Sequence, residues 1–296
     1  MREDAWPSHC RAVLVAAVAA AAEHFPRPGE EAPERVHDVR KTLKEARAIA
    51  RLFLECVGEP ARVTIVALAA TRRRIGRARD LDVMILRLRR LAPPSEIAEP
   101  LATAIARERL VARRAHRGFT ASATRARLSA IVKRLEAWDM SAVRSEEIVK
   151  AVARTYRQAR RRGRFAFDGG EAAALHALRA RVVDLRYQLA ALAPAWPAAL
   201  NAQAEELNAL RDTLGAFNDL EMLRKFAAGR SGLSPQALAD LMARLESKQK
   251  KLKRRARTEF DRLFAEAPRA FAERLAAYLR RPMEKPARAA ATQSTA

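Results

Sequence analysis

The run Val36-His37-Asp38-Val39-Arg40-Lys41-Thr42-Leu43-Lys44-Glu45-Ala46-Arg47-Ala48-Ile49-Ala50-Arg51-Leu52-Phe53 has a helical period and no strand-like alternation. At about 100° per residue, His37, Arg40, Lys41, Lys44, Arg47 and Arg51 fall within roughly one third of the circumference. Val36, Val39, Leu43, Ala46, Ala50 and Phe53 occupy much of the opposite side. Such a helix buries one face and presents a row of cations roughly 20 Å long. A solvated face normally mixes signs, yet the one acid after Asp38 and before Glu55 is Glu45.

Much of this helix is written twice. His37-x-x-Arg40 with Arg47 recurs as His176-x-x-Arg179 with Arg186, and Gly76-x-x-x-Asp80 recurs as Gly215-x-x-x-Asp219, always 139 positions apart. A constant offset across two motifs marks a duplicated unit. Turn-forming clusters at Pro26 to Pro33, Gly58 to Pro60, Pro93 to Pro94, Trp138 to Ser145, Gly163 to Gly170, Pro194 to Pro197, Gly229 to Pro235 and Pro268 cut the chain. Eight main helical segments are expected between them, at 10–25, 35–57, 61–91, 96–136, 146–162, 171–192, 198–227 and 235–265, with a short ninth at 269–281. The second four lie on the first four at the repeat offset. The expected fold is therefore all-α, two tandem four-helix bundles with an internal duplication: residues 1–140, residues 141–281, and a disordered tail at 282–296. The scarcity of aromatics (5%) and of glycine leaves Ala and Leu to fill the interior, each half burying its own core, which also favours helix.

Lys and Arg number 57 against 34 Asp and Glu, for a net charge of +23. That imbalance raises self-repulsion unless an anionic partner offsets it, so a polyanion is expected. Arginine dominates, and its rigid fork suits phosphate oxygens. Cys10 and Cys56 form no metal-ligand or disulfide pattern, which points to a reducing cytoplasm. No apolar run approaches the roughly 18 residues of a membrane span. Ala12 to Ala22 resembles the apolar part of a secretion signal, but Glu3 and Asp4 spoil the positive start such signals need.

Further cationic rows flank the duplicated motif. Lys150, Arg154, Arg157, Arg161 and Arg164 share one helical face; Arg107, Arg114, Arg117 and Arg125 form another row; Lys250, Lys253, Arg254 and Arg257 form a fourth. Convergence of these rows on one groove is expected, because the duplicated motif lies among them. In the second copy the stripe is weaker, since Ala180 and Val183 stand where Lys41 and Lys44 stand in the first. Gly76 and Gly215 lie within helices, where glycine costs roughly 1 kcal/mol relative to alanine. Close helix approach or a kink is the structural account, with Asp80 and Asp219 capping or orienting arginines. The alternative, Asp80, Asp82 and Asp219 as metal ligands, assembles no site with Asn218 and Glu221. A His…His-Asp…Asp phosphohydrolase site from His24, His37, Asp38 and Asp80 is rejected by the second copy, where Ala177 follows His176. No phosphate loop, serine elbow or Cys and His pairing is present, so no metal, cofactor or catalytic residue is expected.

The segments VHDVRKTLKEARAIARLF, ALHALRARVVDLRYQL, IGRARDLDVMILRL and LGAFNDLEMLRKF, in both halves and at matched spacing, resemble the conserved histidine α-helical domain family, CHAD. The resemblance spans approximately residues 10 to 280. It implies two four-helix bundles related by a pseudo-twofold axis, with a basic central groove that binds inorganic polyphosphate and can bring proteins to polyphosphate granules. It also implies phosphate contact by His37, Arg40, Lys44, Arg47, His176, Arg179 and Arg186. Glu45, where a second adjacent base is usual, and Val183, where the second motif usually carries a base, depart from the pattern. The function expected is non-catalytic polyphosphate binding, cytoplasmic and granule-associated, with polyphosphate-metabolising enzymes as candidate protein partners. Nonspecific nucleic-acid binding is the main alternative, since rows of cations attract any phosphate backbone. Of the aromatics, only Tyr156 and Tyr187 interleave with the basic rows, which disfavours a base-stacking platform. An enzyme of phosphoanhydrides would need an acidic metal cluster, and docking to anionic lipid is a weaker option.

Overall fold

Ala and Leu dominate the apolar composition, and the computed structural model is all-α, with no strand among the residues it describes: 5–25, 33–74, 77–116, 121–230, 232–281 and 283. The first copy contributes α1 (Ala5–Glu23), α2 (Pro33–Ala50) continued by a tight turn of 3-10 helix (Arg51–Phe53), α3 (Glu59–Arg74), α4 (Arg77–Leu91), α5 (Ser95–His116) and α6 (Ala121–Glu136). The second contributes α7 (Ser145–Phe167), α8 (Ala172–Ala191), α9 (Pro197–Arg230), α10 (Pro235–Leu263) and α11 (Pro268–Leu279). In the second copy the expected segments appear as single helices. In the first, the segments at 61–91 and 96–136 are each described as two helices, and Gly76, Arg117 and the tail from 284 lie outside the described residues.

α1 is 19 residues long with a mean hydropathy of 1.2, enough by length and composition to cross a bilayer, although no uninterrupted apolar run showed this. Here it packs on α2 and α6, with Cys10, Leu14 and Val18 fully buried. Trp6 donates from Nε1 to the Leu279 carbonyl at 2.8 Å, tying the start of the chain to α11.

Two apolar clusters hold the helices, and neither is confined to one copy. The larger joins α1, α2, α3 and α6 to α7, α8, α11, the first part of α9 and the last part of α10. The smaller joins α4 and α5 to the second part of α9 and the first part of α10, around Leu81, Leu88, Leu101, Leu220, Leu223 and Leu241. Thus the expectation of a separate core in each half gives way to shared cores, because α9 and α10 are long enough to pass from one cluster into the other. α8 is consequently covered on most sides, by α7, α9 and α2.

The repeat-related helices α2 and α8 meet directly. Ala48, Val183 and Tyr187 pack together between them, and Gln188 donates from Nε2 to the Ala48 carbonyl at 3.0 Å. Charges pair reciprocally at this seam. Glu45 feels Arg186, and Arg47 feels Asp184. Glu45 and Asp184 are repeat counterparts, as are Arg47 and Arg186, so the contact has the self-complementary form of a twofold interface.

Candidate functional site

α2 divides as its periodicity predicts. Val39, Leu43, Ala46 and Ala50 are buried, and so is Phe53 in the turn that follows. The basic stripe is graded rather than uniformly solvated: His37 and Lys41 are exposed, Lys44, Arg47 and Arg51 half-buried, and Arg40 buried. Arg40 and Arg51 are matched by Asp80 and Asp184, but burial of Lys44 beside other cations signals a site, since desolvated charge is costly unless a counter-ion is supplied.

Lys44 lies where the two copies meet. Burial pushes its ammonium down to about 8, and the charges of Arg179, Arg40, Arg72 and Arg211 push the same way. Arg40 is on α2, Arg72 on α3, Arg179 on α8 and Arg211 on α9, so four helices bring cations to one place. Arg179 is also lowered, first by burial, while the nearby carboxylates of Asp219, Asp212 and Asp80 oppose that shift. Arg72 is lowered by burial and by Arg40, Arg73 and Arg179, with Asp80 opposing. Among the described residues, the Nε groups of Arg47, Arg72, Arg179 and Arg211 are buried with no hydrogen-bond partner. Buried donors are normally paired. Arg72, Arg179 and Arg211 surround Lys44 and Arg47 lies beside Arg72, so cations outnumber the neighbouring carboxylates of Asp80, Asp212 and Asp219.

The Gly and Asp motif supports this cluster. A Cβ on Gly215 would stand 3.4 Å from both Nε and Nη2 of Arg179, an ordinary contact, so α9 passes close to the Arg179 guanidinium with room there for a methyl group but for little more. Asp80 accepts from Arg40 Nη2 at 3.3 Å. Asp219 accepts from Arg87 Nε and Nη2 at 3.0 and 2.9 Å, and Asp82 lies 2.6 Å from Arg109 Nε. The three acids considered as metal ligands therefore each hold an arginine, and no group of three His, Cys, Asp or Glu side chains gathers among the described residues.

On the other side of Arg47, Asp184 is fully buried, with Arg181 Nη2 at 2.7 Å and Arg51 Nε at 3.3 Å. Burial lowers Arg181 and Arg47, and Asp184 opposes both shifts. Arg51 is thus held by an internal carboxylate. Val183, the departure from Lys44, fills the apolar contact with Ala48 and Tyr187. His176 is exposed, its Nδ1 2.9 Å from Asn218 Oδ1, which ties the head of the second stripe to the Gly and Asp helix.

A family model for the CHAD domain matches residues 12–228. The chain belongs to the CHAD domain family. Searches of curated proteins and of solved structures found no match. The CHAD match runs from α1 to the end of α9, so it includes every member of the central cluster, while α10 and α11 lie beyond it.

The remaining predicted residues of this CHAD protein are distributed differently. Arg154 pairs with Glu55, Lys150 with Glu147, and Arg157 and Arg161 are exposed on α7. Arg125 donates to the Phe25 carbonyl beyond α1 at 3.3 Å. Arg107 is exposed on α5; the side chain of Arg114 and all of Arg117 are outside the described residues. On α10, Lys250 is 2.7 Å from Glu246, and Arg257 reaches Asp168 on the α7 side. Arg254 is exposed on the same helix. α9 receives α10 through Thr213, which donates to Glu259 Oε1 at 3.1 Å, whereas Arg211 points to Arg179 from a face about 200° away. Convergence of all four rows on one groove is therefore corrected: the α10 row lies across α9 from the central cluster. Arg72 and Arg211 were missed from the sequence, although they stand at the 139-residue offset and could have been found by it.

Proposed function

We propose that this CHAD protein binds inorganic polyphosphate, without catalysis, at the cationic centre where α2, α3, α8 and α9 meet. The observation that carries the reading is the set of buried Nε donors of Arg47, Arg72, Arg179 and Arg211 that lack a hydrogen-bond partner, three of them beside Lys44, although Arg211 also pairs through Nη2 with Asp212. A chain of phosphates supplies acceptors at every unit and neutralises several cations at once, releasing counter-ions. Family membership supports the same ligand. Asp80 and Asp219 orient arginines in this reading, and Asp184 withdraws Arg51 and Arg181 from the ligand. The protein would work in the cytoplasm at polyphosphate granules, alone or beside polyphosphate-metabolising enzymes.

Direct titration with polyphosphate tests the reading. The triple variant Arg40→Ala, Lys44→Ala, Arg47→Ala should lose most binding while keeping its helicity. Unchanged affinity in that variant would sink the proposal. Affinity of the wild-type protein should fall with salt, by about 0.7 to 0.9 log units per log unit of salt for each phosphate engaged.

A further inference from the structure

We infer that α10 carries a second anion site, separate from the central cluster, which takes the phosphate backbone of double-stranded nucleic acid. From Ser247 to Thr258 there is no acid, and seven of the residues between them are Lys or Arg. The stretch lies on an uninterrupted helix of 29 residues that is outside the CHAD match. Its buried side is Leu241, Leu245, Ala256 and Phe260. At about 100° per residue, Arg244, Lys248, Lys251 and Arg255 fall on one flank of the exposed side, and Lys250, Lys253, Arg254 and Arg257 on the other. Arg255, Lys250 and Arg257 are held by Glu259, Glu246 and Asp168. Among the described residues no ion pair holds Lys248, Lys251, Lys253 or Arg254, two on each flank.

Two flanks distinguish this ridge from a track for a single strand of phosphates. A helix is about 10–12 Å across with its side chains, close to the roughly 12 Å width of the DNA major groove, so cations on both flanks reach phosphates on both strands. From Arg244 to Arg257 the ridge is roughly 20 Å long. No exposed aromatic lies on it to stack unpaired bases, and its one amide, Gln249, is bonded to Glu221 at 3.2 Å. The contact is therefore to backbone and insensitive to base sequence. The duplicated fold does not demand this charge. At the 139-residue offset, exposed Leu110 and Val111 of α5 stand where α10 has Gln249 and Lys250.

The site is independent of the polyphosphate reading and is tested with its own probe. Binding of a labelled 20-base-pair DNA duplex is followed by fluorescence anisotropy, polyphosphate binding by titration, and helicity by circular dichroism. Lys248→Ala, Lys251→Ala, Lys253→Ala, Arg254→Ala together should weaken duplex binding at least about tenfold and flatten its salt slope by about 3, with polyphosphate affinity held within about twofold. Arg72→Ala, Arg179→Ala, Arg211→Ala should do the reverse. Unchanged duplex affinity in the α10 variant would overturn the inference. So would an equal loss of polyphosphate affinity, which would make the ridge a second polyphosphate track. If the central variant instead binds polyphosphate like wild type, the central reading fails and the α10 result still stands.

Discussion

Lys44 is the residue whose chemistry depends most on its neighbours. In the unliganded protein it loses its proton near pH 8, because burial and four arginines oppose its charge. A bound phosphate chain would restore the charge, so above pH 8 binding must include proton uptake. Polyphosphate affinity should therefore weaken by roughly tenfold between pH 7 and pH 9. Lys44→Arg, which keeps its charge throughout, should flatten that profile in titrations at matched ionic strength. Asp184 is the opposite case, a buried carboxylate between Arg51 and Arg181. Its removal leaves buried cations uncompensated, so Asp184→Ala should cost about 3 to 5 kcal/mol in urea denaturation. The motif residues His37, Arg40, Arg47, His176 and Arg179 were legible because they repeat in register, and Lys44 because it shares their helical face. Asp184 was not, since an acid within a basic stripe shows its purpose only when the arginines it holds are in view.

At the scale of elements, glycine and helix length set what can approach what. Gly215 lies within α9 at ordinary contact distance from the Arg179 guanidinium. Gly215→Ala should be tolerated, with a stability gain of up to about 1 kcal/mol from helix propensity, whereas Gly215→Leu should displace Arg179 and weaken polyphosphate binding. Gly163 on α7 is a tighter case, since an added Cβ would collide with the ring of Phe260 of α10. Gly163→Ala should lower stability by about 1 to 3 kcal/mol, read as a fall in Tm. Periodicity located the helices of the second copy well, because α9 and α10 keep their apolar stripes without a break. In the first copy, the stretches between α3 and α4 and between α5 and α6 lie outside the described residues.

For the whole molecule, the shared cores predict one cooperative unit. Both apolar clusters draw helices from both copies, so calorimetry should show a single transition whose calorimetric and van't Hoff enthalpies agree. Two resolved transitions would mean that the copies fold separately. The net charge of +23 adds self-repulsion, so a bound polyanion should raise Tm, and more so at low salt. By itself the sequence determined the helical class, the duplication, the family and the identity of the motif cations, because each is a pattern of spacing and composition along the chain. Only the tertiary structure decided that α2 meets α8, that Arg72 and Arg211 join Lys44, and that α10 lies across α9 from them. Those facts depend on which faces are buried against which, and long-range contacts between helices leave no periodic trace in the order of residues.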